Sequence, residues 1–429
     1  MTRTFSSFSI NGYPDLKDKL LAWAASFPVC CLLDTFGYDL PNHSYDMLIG
    51  AGAAKSFSSG EDFFPSLSAF DAGTKDWIFG HIGYDACRQD RESFYRDNNG
   101  SGFGDVYLFV PEIVVQLHGD TLSIGVLQYS ANDVLKDIIA TVLPPEKKYH
   151  VQLLPRVSHK DFIDTVVALQ QHIHRGDCYE INYCQEVFVE SLDADPADLY
   201  RQLTAISPNP FSSFYKVHDQ YALCASPERY MKKTNDKIMS QPIKGTAPRA
   251  PHDAQLDERN RLQLLHSEKD RRENVIVVDL VRNDLSRVCL PGTVVVDELF
   301  GIYSFPTVYQ MISTVSGRLE PGQDFAHVLE ATFPMGSMTG APKKKVLELI
   351  DRYEVVNRGL YSGTIGYIDP DKNFDFNVVI RTIMYNRKTG YMNYFSGAGI
   401  TSLSDPESEY EECLLKASAV NRLFNPRNQ

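Results

Sequence analysis

The 429-residue sequence contains no C-x-x-C pair, no H-E-x-x-H and no G-x-S-x-G. The first absence argues against a zinc ribbon or dithiol redox centre. The other two remove the zincin and nucleophile-elbow hydrolase patterns. The eight cysteines (Cys30, Cys31, Cys87, Cys178, Cys184, Cys224, Cys289 and Cys413) are scattered and read as reduced, small apolar core residues. No segment approaches the ~20 apolar residues of a membrane span, and residues 1–20 carry no apolar stretch of signal-peptide length. The expectation is a cytoplasmic protein. Positive charge is in short supply: 42 Lys and Arg stand against 55 Asp and Glu, a formal net charge of −13. Such a surface disfavours nucleic acid and anionic membrane as partners. A small anionic substrate stays open if local lysines, arginines or a metal reverse the field. Gly50 to Ser56 reads GAGAAKS, but Ala54 stands where a phosphate loop requires glycine.

What is present is a chain long enough to bury a sizeable core, with 43% hydrophobic residues. Residues 1–142 read as short strands and turns, an N-terminal lobe. Phe109-Val110 and Ile113 to Leu117 look like strand broken by Pro111, followed by Leu122 to Val126. Leu143 to Leu154, with Pro144 and Pro145, reads as a connector, and 155–425 as a second region. There Ser158 can cap a helix bearing Phe162, Val166, Leu169 and Ile173 on one face, ending at Gly176. A helix is expected over Asp257 to Leu285. Another follows Pro342, with Val346, Leu349, Ile350 and Tyr353 on one face. A last helix should open on a Ser404/Glu407 capping box and run through Leu415. Tyr361 to Ile368, Phe374 to Met384 and Tyr391 to Phe395 read as strands. Strands grouped together favour an α+β fold, with antiparallel sheets forming a two-lobed sandwich and helices on the outside.

Two helices offer paired carboxylates. Asp270 and Glu273 are spaced i, i+3. Glu409, Glu412 and Lys416 lie within about 60° of one another around their helix axis. Such pairs usually face solvent, but two of them could hold a hard cation such as Mg²⁺. Lys244, in Gln241-Pro-Ile-Lys-Gly-Thr246, is either a surface lysine or, if buried, an amine nucleophile with a lowered pKa. Gly336-Ser337-Met-Thr339-Gly-Ala-Pro-Lys343 at a helix start is either a plain cap or an anion site made by free N–H groups.

These segments occur in a set order. They run through Gly176 to Asn182, Ser226 to Arg229, Pro242 to Thr246, Glu268 to Asn274, Val278 to Leu280 and Arg282 to Asp284. Phe333-Pro334, Gly336 to Lys343, Arg358 to Gly363, Asp375 to Asn377 with Arg381-Thr382, Gly397 to Ile400, and Asp405 to Glu407 with Glu409 follow. Together they resemble the chorismate-utilising enzymes, and within that family the branch that aminates ring carbon 4. The likeness is strongest from about 176 to 419 and weak in the N-terminal lobe.

The resemblance implies the following. Glu273 and Glu412 ligate Mg²⁺, with Asp270 and Glu409 behind them. The metal meets the ring carboxylate of chorismate, with Lys416 near that end. Tyr361, Arg381 and the backbone at Gly397 and Gly399 hold the enolpyruvyl carboxylate, and Thr246, Ser337 and Thr339 belong to the substrate site. Glu228 protonates the departing hydroxyl. Lys244 attacks carbon 2 before ammonia enters at carbon 4; anthranilate synthases usually carry alanine there. Glu180 replaces a common glutamine, and is not the water-activating lysine of isochorismate synthases. Gln310 replaces a histidine associated with pyruvate elimination. Ammonia comes from a separate glutamine amidotransferase subunit, since no glutaminase signature is present. The competing readings are anthranilate synthase component I and a catalytically silent tryptophan sensor. For the latter, Leu32-Leu33-Asp34-Thr35 is an altered form of the family's Leu-Leu-Glu-Ser-like segment.

Overall fold

A computed structural model describes every residue except 1, 11, 39–44, 59–61, 88–99, 307 and 425–429, so the outer limit of the 155–425 region lies outside the described residues. Two large antiparallel sheets face each other. The first runs, edge to edge, through Thr4–Ser9, Thr121–Val126, Ile113–His118, Met47–Ala51, Val29–Asp34, Phe211–Val217, Gln220–Ser226, Thr382–Asn386, Tyr391–Ile400, Glu180–Val189 and Gly340–Ala341. The second runs through Ile243–Pro248, Val308–Arg318, Lys237–Gln241, Arg229–Thr234, Phe374–Asn377, Thr364–Ile368, Ile78–Ile82, Val106–Val110 and Lys55–Ser58. Each sheet joins a block of strands from before the connector to a block from after it, at Val29–Asp34 with Phe211–Val217 in the first and at Ile78–Ile82 with Thr364–Ile368 in the second.

Alternation along Val29–Asp34 shows why a sandwich forms. Side chains two apart share a face. Val29 and Cys31 enter the core between the sheets, beside Phe79, Met231 and Phe376. Cys30 and Leu32 enter a second core under helices Leu16–Ala25, Ala131–Ala140 and Pro196–Ile206. Because this strand is covered on both faces, its sequence is a continuous apolar run. A third core packs helices His159–His174, Lys343–Tyr353 and Pro406–Lys416 against Glu180–Val189 and Tyr391–Ile400. The α+β sandwich with external helices is therefore the observed architecture.

Four expected elements differ in detail, the first being the strand expected from Tyr361 to Ile368, which starts only at Thr364 after a turn. The helix over 257–285 is two helices, Ala254–His266 and Glu268–Leu285. Ser267 separates them with an extended ψ of 112°, its backbone ending one helix and its hydroxyl capping Asp270 N of the next. The last helix starts at Pro406, with Asp405 as cap on Ser408 N. Ser404 instead accepts from Thr401 N, so the Ser404/Glu407 box does not form. The run 374–384 is two strands in different sheets: Phe374–Asn377 pairs with Arg229–Thr234, and Thr382–Asn386 with Gln220–Ser226. The partner chain steps across at the same level, between Ser226 and Arg229. The two crossings are tied by Val378 N donating to Glu228 O and Ala225 N to Arg381 O. Glu228 and Arg381 thus sit at paired sheet-to-sheet steps, and Arg381 takes a φ of 51° to make its turn.

Candidate active site

The acidic helices do converge. Lys269, in the first turn of Glu268–Leu285, is 3.0 Å from Glu409 Oε1, 3.9 Å from Glu412 Oε2 and 4.0 Å from Glu273 Oε1. Lys416 Nζ lies 2.7 Å from Glu412 Oε1 and donates to Gly397 O at 2.8 Å. Lys244 donates to Glu180 and lies 4.0 Å from Glu273 Oε2. Burial is what makes this more than a solvated face: Glu180 and Glu409 are 2% and 1% exposed. Gly399 supplies the room. A Cβ there would lie 2.9 Å from Lys244 Nζ and 3.0 Å from Glu180 Oε1.

Electrostatics differ from residue to residue. Burial pushes the Glu273 carboxyl up to about 7, against the pull of Lys244 and Lys269. Burial acts on Glu412 too, but Lys416, Lys269 and Lys244 hold it below the usual carboxylate range. For Lys244, burial alone would lower the pKa, as expected from a buried amine. Glu180 and Glu273 more than offset it, and the net direction is upward. The expected lowering of the Lys244 pKa is therefore corrected: a carboxylate pair holds the ammonium charged in this state.

Glu228 lies deeper. Burial raises its carboxyl to about 7, while the Ser337 hydroxyl and the Lys244 charge act in the opposite direction. Burial lowers the pKa of Arg381, opposed by Glu228 and Tyr38. The segment 336–341 is held from behind by Arg358, which is 1% exposed. Its guanidinium donates to Met338 O at 2.7 Å, to Asn182 O at 2.9 Å and to both Glu354 oxygens. This anchor was missed in the sequence because nothing in its spacing distinguishes an anchoring arginine from a substrate-facing one. Lys269 was missed for a similar reason, as a charged neighbour on a charged helix.

Other expected site residues are placed less centrally. Asp270 packs against Gly245, whose added Cβ would sit 2.9 Å from Asp270 Cβ. Thr246 is exposed and pairs with Gln310 across the sheet. Gln310 is buried, with Oε1 lacking a hydrogen-bond partner. Thr339 is fully buried and its hydroxyl is spent on Met335 O and Gly336 O, a local structural bond. Tyr361 is buried, stacks on Phe395 at 4.9 Å, and its hydroxyl meets Cys184 Sγ at 3.7 Å.

Among the described residues no group of three or more Asp, Glu, His or Cys side chains is already disposed around a metal-sized point. The donor set nevertheless suits a hard divalent cation. Glu273 Oε1 and Glu409 Oε2 are buried without hydrogen-bond partners, and buried carboxylate oxygens are costly to leave unmet. The lysine heads between them are monovalent stand-ins for a cation.

The family model described as chorismate binding enzyme matches residues 51–422. Aminodeoxychorismate synthase component 1 of Salmonella typhimurium is 40% identical over 258 residues, 60% of this chain and 55% of that protein. The protein of the same name from Bacillus subtilis is 36% identical over 61% of this chain and 55% of its own length. The chain thus spans about half the length of these curated relatives. Anthranilate synthase component I from Streptococcus pneumoniae superposes with a TM-score of 0.77 at 24% identity, covering 90% of this chain and 93% of that one. The menaquinone-specific isochorismate synthase from Escherichia coli gives 0.79 at 18% identity, covering 99% and 94%. At these identities the two structures speak for the fold alone. A match from 51 to 422, carried on this sandwich, makes the chain a member of the chorismate binding enzyme family.

Proposed function

We propose that the chain is the chorismate-binding component of an aminodeoxychorismate synthase, converting chorismate and ammonia to 4-amino-4-deoxychorismate and water for 4-aminobenzoate and folate synthesis. The observation that carries this reading is Lys244, an amine enclosed by Glu180, Glu273 and the bare backbone of Gly399. The names of the curated relatives support it. Mg²⁺ is the cofactor, held by Glu273 and Glu412 with Glu409 behind them. When bound, it supplies positive charge for the substrate's ring carboxylate and offsets one of the two carboxylates that keep Lys244 protonated.

The chain's own groups then divide the work. Arg381 and the backbone at Gly397 and Gly399 hold the enolpyruvyl carboxylate, with Tyr361 behind them. Lys416 stays at the ring-carboxylate end. Neutral Lys244 adds to ring carbon 2 while the carbon 4 hydroxyl leaves with a proton from Glu228. Ammonia next adds at carbon 4 and the ring double bond shifts back, expelling Lys244 as an amine, while the proton shed by the incoming nitrogen restores Glu228. Ser337 orients the Glu228 carboxyl.

A carboxyl raised to about 7 is suited to hold a proton at neutral pH. The acid form is present below that value and lost above it. The chemical step should therefore fall as pH rises through about 7, once ammonia is saturating. Glu228→Gln should cost about 10²–10⁴-fold in kcat and abolish that limb. A limb that persists unchanged in the variant would remove Glu228 from the role.

Ammonia comes from a separate glutamine amidotransferase subunit. The isolated chain should turn over chorismate with concentrated ammonium salt, best at mildly alkaline pH where free ammonia rises while part of Glu228 still carries its proton, and should be inert with glutamine. Glutamine-dependent turnover by the pure chain would reveal a glutaminase site of its own. Anthranilate synthesis is the less favoured reading because of Lys244 and Gln310. Leu33, Asp34 and Thr35 of the N-terminal lobe, 1–142, line a hollow of about 60 Å³ together with Phe211, Tyr367 and Asn377 of the later region. A cavity that accepts benzene measures ~150 Å³, so tryptophan would enter only if the lining moved. Asp34 is also already bonded to Lys17 and Phe36 N. Both facts weigh against a tryptophan sensor.

A further inference from the structure

The protein carries a cation of its own at the place assigned to the metal. Of the three carboxylates around Lys269 Nζ, only Glu409 at 3.0 Å is within hydrogen-bond reach; Glu412 and Glu273, at 3.9 and 4.0 Å, are not. Glu409 is 1% exposed and its second oxygen is unmet, as is Glu273 Oε1. Lys416 is taken up by Glu412 Oε1, and Lys244 by Glu180 with Glu273 Oε2 4.0 Å away. Lys269 is therefore the ammonium group that meets Glu409, and Glu409 Oε2 and Glu273 Oε1 stay buried without a donor. Lys269 itself is half exposed, at 50% of its side chain. It sits in the first turn of its helix on a flexible four-carbon stem, so its head can reach water with no change in the backbone.

We propose that Lys269 is a tethered counter-cation that neutralises the Glu273–Glu409–Glu412 cluster in the metal-free protein and must swing outward before a divalent ion can enter. The inference rests on the metal reading above. Magnesium gathers oxygens at 2.0–2.1 Å in a near-octahedral shell, and an ammonium group cannot share that volume. Metal binding is then a competition with the protein's own side chain. The lysine keeps the empty site folded and sets how much free magnesium is needed to fill it.

The test is a magnesium titration of the chelator-treated full chain, without chorismate, followed by calorimetry and by the metal-induced rise in Tm. Wild type is compared with Lys269→Met, Lys269→Gln and Lys269→Arg. The neutral variants should bind magnesium about tenfold more tightly, a change of ~1.4 kcal/mol. In chelator they should melt below wild type, and saturating magnesium should narrow that gap. Lys269→Arg, which keeps the charge, should resemble wild type. If Lys269→Gln and whatever Lys269→Met can be prepared folded bind magnesium no better than wild type, Lys269 is an ordinary ion pair and the proposal is overturned. If wild type and all variants give neither heat nor a shift in Tm, the metal reading itself fails and takes the proposal with it.

Discussion

Lys244→Ala should lose at least ~10³-fold of its 4-amino product, the scale on which enzymes lose rate when their nucleophile goes. Ammonia can then reach ring carbon 2 directly, so traces of 2-amino product are expected, identified by mass and absorbance. Wild type mixed with chorismate in the absence of ammonia should carry a covalent adduct at Lys244 by mass spectrometry. The same substitution has a second effect. It leaves Glu180 and Glu273 facing each other without their shared cation, and unpaired buried charges of this kind cost about 3–5 kcal/mol. Lys244→Arg keeps the charge and cannot act as the amine, so it separates lost chemistry from lost stability. A near wild-type rate of 4-amino product from Lys244→Ala, with no adduct in wild type, would falsify the covalent route. Anthranilate as the wild-type product would sink the choice of branch within the family.

The second large effect is expected at the acidic helices. Glu273→Gln and Glu412→Gln should each abolish turnover, leave the fold intact, and remove the stabilisation by magnesium. A ligand at 100 times its Kd stabilises a fold by ~2.7 kcal/mol, which is read as a rise in Tm for wild type and none for the variants. The two substitutions should differ in chelator. Glu273 is pushed up to about 7 by burial, so near neutral pH its charge is partly lost already and a neutral amide costs less than at Glu412. Glu412 is held ionised by Lys416, Lys269 and Lys244, so losing its charge leaves those cations less well compensated and lowers Tm further. Full activity of either variant, or of wild type in excess chelator, would end the metal assignment.

Much of this arrangement could be read from residue order. The helix from His159 to His174 was evident from Ser158 and the Phe162–Val166–Leu169 stripe, because a cap and a periodic face are local properties. The convergence of Glu273 with Glu412 was only implied by family resemblance, since their helices lie about 140 residues apart and i, i+3 spacing says nothing about what a face meets. The break at Ser267 was hidden because serine suits both the end of one helix and the start of the next. The switch of sheets between Asn377 and Thr382 was hidden for another reason. The crossing runs through the apolar stretch Val378-Val379-Ile380, which has no alternation to mark the step. The charge state of Lys244 depends on which carboxylates surround it, and that is a tertiary fact.

The joining of early and late strands within each sheet bears on how the protein is made. Ile78–Ile82 is buried along its whole length and pairs on one side with Thr364–Ile368, roughly 280 residues further along the chain. At about 5–20 residues per second of synthesis, that partner leaves the ribosome a quarter of a minute to a minute later. Val29–Asp34 likewise waits for Phe211–Val217. During translation the first lobe therefore presents two unpaired apolar strand edges, a template for pairing with other nascent chains. Release of a fragment ending near residue 142 should give an aggregation-prone polypeptide that recruits chaperones, and a fragment of 155–425 alone should likewise fail to fold, because both sheets would lose their junction strands.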